Sequence, residues 1–389
     1  MRVLKWALRA FLVFVIIAAG LAVWKREDLS RLLAVNSLFD ADRIVHNFSH
    51  MDRLFWTTPL MRGDGPISPL PQGNPAALPD GAERWLSDRS VTALIVLKNG
   101  QIRHEGYYQG TGPQDRRISW SMAKSFVSAL IGQALQNGEI NSLDDPVTKY
   151  APQLTSSAYD GVRIIDVLHM ASGVTFDEDY LNFYSDINKM GRTLAIGGSM
   201  DAFAAGLTER DAPAGQRWHY ASIDTHVIAM VLRGATGRSL PDLMAQRLIA
   251  PLGPEDVPLM ITDAHGVGFA LGGLNMRTRD YARFGQMVAQ GGLWQDQRIL
   301  PEGWVERSTQ FTAPTAPDQS KYALQWWGAS DAKNGDFFAR GVYGQYIYID
   351  QARDVVIVMN AADRQFRNTG INQQNIQMFR QIAASFDKE

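Results

Sequence analysis

The pattern of apolar and polar positions divides the chain into stretches of different character. From Trp6 to Trp24 the sequence WALRAFLVFVIIAAGLAVW is interrupted only by Arg9. A helix rising about 1.5 Å per residue over that length covers most of a roughly 30 Å hydrocarbon core. Arg2 and Lys5 precede the run, which favours a cytoplasmic amino terminus, while Lys25 and Arg26 on the far side weaken the asymmetry. The following LAVWKRED offers no small-x-small cleavage site. Residues 1–24 are therefore expected to remain as a single N-terminal anchor in the inner (cytoplasmic) membrane, with the rest of the chain periplasmic or extracellular.

Residues 25–82 read as a lead-in. Leu29, Leu32 and Leu33, then Ile44, Val45 and Phe48, recur at helical spacing and predict short amphipathic helices. Over residues 57–81, Pro59, Pro66, Pro69, Pro71, Pro75 and Pro79 deny both helix and central strand and predict an irregular wrap. Strand-like residues then flank Asn99-Gly100, a pair suited to the left-handed geometry of a tight hairpin. After Ser119 the period lengthens: Phe126, Val127, Leu130, Ile131, Ala134 and Leu135 make one helix face, which Gly138 ends. Helix and loop are predicted to about residue 310. Strand character returns at 322–327, 337–341, 345–349 and 355–360, before a closing helix over 375–386. Pairing the early hairpin with the late strands gives an α+β domain over 83–389: one antiparallel sheet flanked by helices, with an all-α lobe inserted at about 120–310.

Composition adds exclusions. The 389 residues are 46% hydrophobic and 20% charged, as expected of a folded globular chain. A formal charge of -2 and the lack of a basic stripe argue against nucleic acid as a partner. With no cysteine, a thiol nucleophile, a disulfide and a thiolate metal site are excluded. The one H-x-x-x-H, His46 with His50, has Asn47 where a zinc protease needs glutamate, so neither a metal nor a cofactor is expected. A Ser-His-Asp triad finds candidates in His169, His219, His226 and His265, but the G-x-S-x-G elbow is missing.

Candidate chemistry gathers at helix entrances. Ser121 and Lys124 stand three apart, so a hydroxyl and an amine share one helix face. Serine needs a neighbouring base to attack a carbonyl, and lysine can be that base if burial lowers its pKa. The same spacing occurs at Ser330 with Lys333 and at Ser385 with Lys388, and on spacing alone Ser121 reads better as an ordinary helix-start residue. Context separates it: Ser119 as a capping residue before it, a long apolar helix after it, and Trp120, Met122 and Phe126 to exclude water. Tyr220 and Ser222 precede a second apolar helix. A tyrosine beside an ammonium can have its pKa lowered and shuttle protons, with Ser222 bridging it to Lys124; a packed aromatic and a helix cap fit as well. The strand around Gly341, Val342 and Gly344 would let a substrate approach, and with the Ser121 amide it could offer an oxyanion site; a bulge fits the glycines too.

Taken in order, SMAKSF, LDDPVTKYAPQL, IIDVLHMASGV, YAS, GGLNMRTRDYARFGQ and GVYGQYIYID resemble the serine beta-lactamase and penicillin-binding superfamily. The likeness is greatest to its esterase and 6-aminohexanoate-dimer hydrolase-like branch. The resemblance implies a beta-lactamase/transpeptidase-like fold with the site between sheet and helical lobe. It implies that Ser121 attacks, Lys124 and Tyr220 move protons, Ser222 supports them, and Val342 completes the oxyanion hole. Tyr180 and Asp186 in FDEDYLNFYSDI, with Gly341 and Tyr343, would contact substrate. The third-motif lysine of the lactamases is absent, Ala339 or Tyr343 standing near its place, which argues against efficient beta-lactam hydrolysis. The expected activity is hydrolysis of a small carboxylic ester or amide; the alternatives are a catalytically weak penicillin-binding or peptidoglycan-sensing protein, or a cell-wall carboxypeptidase.

Overall fold

Asn99 and Gly100 adopt φ of 51° and 71° and turn the strand Val91–Lys98 back onto Gln101–Tyr107. The computed structural model in which this is seen describes residues 2–24, 26–332 and 335–388, leaving out the side chains at 2, 3, 18, 19, 21, 22, 27–29 and 388. The hairpin joins the late strands in one antiparallel sheet. Its spatial order is Gln101–Tyr107, Val91–Lys98, Val355–Ala361, Gln345–Asp350, Asp336–Gly341, Trp327–Gly328 and Lys321–Tyr322. The stretch expected as one strand over 322–327 is two short strands, broken where Gln325 takes φ 66°.

Both faces of this sheet are covered, which explains why its central strands are apolar throughout and not alternating. Ile95, Leu97, Ile347, Ile349, Val356 and Val358 point to the helical side. Their neighbours Leu94, Val96, Tyr346, Tyr348 and Ile357 face the helices Ala82–Asp88 and Ile371–Ser385, where Trp85 and Phe379 pack. The registers Ile95 with Val358 and Ile347 with Val358 set these layers side by side.

On the helical side, Ala123–Gln136 and Ile223–Thr236 are buried along most of their length and lie against one another. Gly132 and Gly234 mark close approaches: an added Cβ would meet the Trp304 ring at 2.5 Å and the Tyr150 carbonyl oxygen at 1.7 Å. A second sheet, not foreseen from sequence, runs Trp56–Pro59, Leu259–Thr262, Leu274–Arg277 and Arg116–Ile118. Its first strand falls inside the proline-rich stretch, where Pro59 ends an edge strand, a position that tolerates the missing donor.

The lead-in helix Arg26–Asn36 lies against the helix Asp186–Ala195. Before it, the helix Arg2–Trp24 exposes Leu4, Trp6, Leu8, Phe11, Ile16 and Trp24. Among the described residues, no helix is long and apolar enough to cross a membrane. Lys333 and the side chain of Lys388 lie outside the description, so those two repeats of the serine-lysine spacing are not placed.

Candidate active site

Ser121 sits in the single turn Trp120–Met122 that opens the helix Ala123–Gln136. The chain arrives there sharply: Trp120 has φ 42°, a left-handed conformation uncommon for a bulky residue. Its ring is braced by Phe39 at 5.8 Å and Phe48 at 5.6 Å. Ser119 is not the helix cap expected of it. Its backbone is already helical, its amide donates to Leu274 O at 2.7 Å, and its hydroxyl donates to Gly272 O at 3.4 Å. The small sheet thus pins the turn from one side. From the other, the strand Asp336–Gly341 comes so close that a Cβ on Gly341 would lie 2.5 Å from Ser119 O and 3.0 Å from Trp120 Cβ. Glycine is required there by contact, not by φ.

Lys124, one turn on, is buried, with Nζ donating to the Ser222 backbone oxygen at 3.4 Å and lying 5.4 Å from the centre of the Tyr220 ring. Burial lowers its pKa to about 7, against the opposing pull of Glu178 and Asp224. Tyr220 comes from the segment before the helix Ile223–Thr236, and its phenol shares a hydrogen bond with Ser121. The phenol's pKa moves the other way from expectation: burial first, then Glu178, push it above its ordinary value, while the bond to Ser121 opposes them. The lysine, not the tyrosine, is thus the group brought towards neutrality. Ser222 does link to Lys124, but through its carbonyl and not its hydroxyl.

That hydroxyl serves a residue the sequence did not single out. Glu178 accepts from Ser222 Oγ at 2.5 Å, from the Ser222 amide at 2.9 Å and from the Tyr180 hydroxyl at 2.6 Å. Asp224 was missed likewise; it is fully buried, accepts from Tyr159 at 2.7 Å and Ser172 at 2.8 Å, and burial raises its pKa to about 7. Neither had a signal of its own, since Glu178 stands among three aspartates in FDEDYLNFYSD and Asp224 reads as a helix-start carboxylate.

A cavity of about 310 Å³ opens onto Ser121, with Tyr180, Ser222 and Val342 also in its wall. Gly341, expected to contact substrate, is not in that wall but packs against the nucleophile turn. Two other expected substrate contacts lie elsewhere. Asp186 starts the helix Asp186–Ala195, accepting from the Asp177 amide at 2.9 Å and pairing with Lys189 at 3.1 Å, the usual place for an acid at a helix amino end. Tyr343, at φ 60°, stacks on Phe39 at 4.7 Å and packs against Phe366, bracing the turn after the strand. Three of the candidate histidines are occupied: His219 meets Phe176 O at 2.9 Å, His226 meets Asp201 at 2.8 Å and His169 meets Thr312 at 2.9 Å, with burial lowering the pKa of His169 to about 4, while His265 is exposed. The strand Asp336–Gly341 carries Arg340, whose guanidinium lies 5.6 Å from the Trp327 ring that packs on Tyr220.

An antiparallel sheet backed by helices, with a serine-lysine helix start at the edge of a helical layer, is the fold of the penicillin-binding and beta-lactamase proteins. A family model described as Beta-lactamase matches residues 81–375, and the chain belongs to that family and is a hydrolase. It is 29% identical over 329 residues to 6-aminohexanoate-dimer hydrolase of Paenarthrobacter ureafaciens, covering 80% of this chain and 83% of that one. Among solved structures it is similar to a Bacillus anthracis protein assigned as a 6-aminohexanoate-dimer hydrolase, with a TM-score of 0.78, 23% identity and coverage of 90% and 96%. A D-stereospecific amidohydrolase from Streptomyces sp. matches with a TM-score of 0.58 and 20% identity over 73% of this chain and 94% of that one. At such identities the structural likenesses speak for the fold alone.

Proposed function

We propose that this protein forms an acyl-enzyme on Ser121 and hydrolyses a carboxylic ester or small amide. The observation that carries the reading is the meeting of Ser121, Lys124 and Tyr220, two from one helix start and one from about a hundred residues further along the chain, at the end of a cavity. Above its pKa, Lys124 is a neutral amine able to take the Ser121 proton as Oγ attacks the carbonyl carbon. Tyr220, kept as a phenol, relays a proton to the departing alkoxide or amine, whose bond to the acyl carbon breaks. Water then attacks the acyl carbon, Oγ leaves and regains a proton, and the acid is released. The amides of Ser121 and Val342 are assigned to the oxyanion, with Ser222 and Glu178 holding the proton-handling groups in register. The relative named for hydrolysis of an aminohexanoate dimer supports amides within the range.

We propose further, from the apolar run Trp6–Trp24 in the full sequence and although no helix among the described residues is long and apolar enough to cross a membrane, that residues 1–24 anchor the chain at the inner membrane with the catalytic domain, residues 83–389, on the periplasmic or outer side. The exposed apolar side chains of the helix Arg2–Trp24 support this. A fluorophosphonate probe is expected to label the wild type and not Ser121→Ala; equal labelling of both overturns the nucleophile. Labelling without turnover of any ester or amide would favour a sensing role instead.

A further inference from the structure

The cavity that opens onto Ser121 has an unusual wall. Of its lining residues only Arg192 carries a charge, and that guanidinium lies 4.0 Å from the Phe183 ring, in no ion pair among the described residues. No carboxylate lines it. The rest of the wall is dominated by Leu38, Phe39, Phe55, Met190, Leu194 and Phe269. Two lining residues also surface at its rim, Leu181 at 84% exposure and Phe183 at 58%, beside the exposed Tyr184. Val35 and Asn36 end the lead-in helix that directly follows the exposed apolar helix Arg2–Trp24, so the mouth and the proposed anchor adjoin along the chain.

From this we infer that the acyl group transferred to Ser121 is an unbranched apolar chain of about eight or more carbons, as found in fatty acyl esters and amides. The inference rests on the acyl-enzyme reading above. An acyl group ending in an ammonium is disfavoured: it would meet a cation and no acid. A short acyl group leaves the apolar wall unused, and transition-state binding falls with every methylene removed.

The test uses the full-length protein in a non-ionic detergent and p-nitrophenyl esters from acetate to dodecanoate, with 6-aminohexanoate beside hexanoate. kcat/KM is expected to rise about threefold or more per methylene up to roughly eight carbons, and hexanoate to exceed 6-aminohexanoate at least tenfold. A flat or falling series, or preference for the ammonium-ended ester, overturns the inference while leaving Ser121 labelling intact. If the probe fails to label Ser121, the acyl-enzyme reading itself has failed. Gly191 lines the cavity on a helix, and a Cβ there meets nothing within 4 Å, so Gly191→Phe should fold and reduce the decanoate-to-acetate ratio at least tenfold. An unchanged ratio in a folded Gly191→Phe counts against the pocket as the acyl site. A parallel assay with the same chain in phospholipid vesicles separates bilayer esters from dissolved ones as the source: the rise with acyl length should hold in whichever setting esters are hydrolysed, and its absence in both overturns the preference.

Discussion

Lys124 stands between opposing influences: burial favours its neutral form, while Glu178 and Asp224 favour the ammonium. If the neutral amine is the working form, as proposed, kcat/KM should rise with pH through a limb near 7, the value to which burial brings the lysine. Replacing Glu178 by Gln removes a nearby anion, makes the ammonium less stable, and should move that limb to lower pH. A change in kcat without a shifted limb would give Glu178 a purely structural part. Gly341→Ala forces Cβ against Ser119 O and should lower kcat/KM by about a hundredfold or more, with the far-UV circular dichroism unchanged, because the proposed oxyanion donors, the amides of Ser121 and Val342, move apart. Ser121, Lys124 and Tyr220 could be singled out because each stands at the entrance of an apolar helix, Lys124 within its first turn, in an order that matches a family. Glu178 was not, because its partners Ser222 and Tyr180 become neighbours only when two distant segments fold together. The direction of the Tyr220 shift was missed because it depends on how deeply the ring is buried, which a motif does not encode.

Helix joins helix in the lobe partly through ions. Asp201, on Met200–Ala205, accepts from His226 at 2.8 Å and from Arg233 at 2.6 and 2.8 Å, both on Ile223–Thr236. Burial pushes the Asp201 pKa up, but these bonds outweigh it and hold it at about 2. A carboxyl more acidic folded than unfolded contributes stability that is present above about pH 4 and is lost as pH falls through 2. Asp201→Asn should therefore cost about 2 kcal/mol at neutral pH, read as a lower urea midpoint, and the difference from wild type should shrink towards pH 2. An equal midpoint at pH 7 would show the cluster to be energetically idle. At this scale the hairpin was legible from Asn99-Gly100, and the late strands from their apolar runs. The small sheet was not: Trp56–Pro59 and Leu259–Thr262 are too short to show a period, and their partners are about two hundred residues apart.

The molecule as a whole joins a sheet built from both ends of the family-matched region to the helical layer between them, and strands returning after a helical middle made that architecture readable. What the pattern could not reveal is how closely the lead-in is built into the site, because its residues meet the cavity only in three dimensions. Deleting residues 1–24 should move the protein from the membrane fraction to the soluble fraction with ester hydrolysis retained; a protein soluble at full length would remove the anchor. Val35, Leu38 and Phe39, by contrast, lie in the lead-in, ahead of the stretch that the family model spans, yet they form part of the wall facing Ser121. Part of the pocket wall is thus supplied by a length of polypeptide that precedes the catalytic region, while Met190, Leu194 and Phe269 come from within it. Drift or exchange in the first forty residues can therefore reshape one side of the pocket and, through Phe39, the support of the Trp120 turn as well.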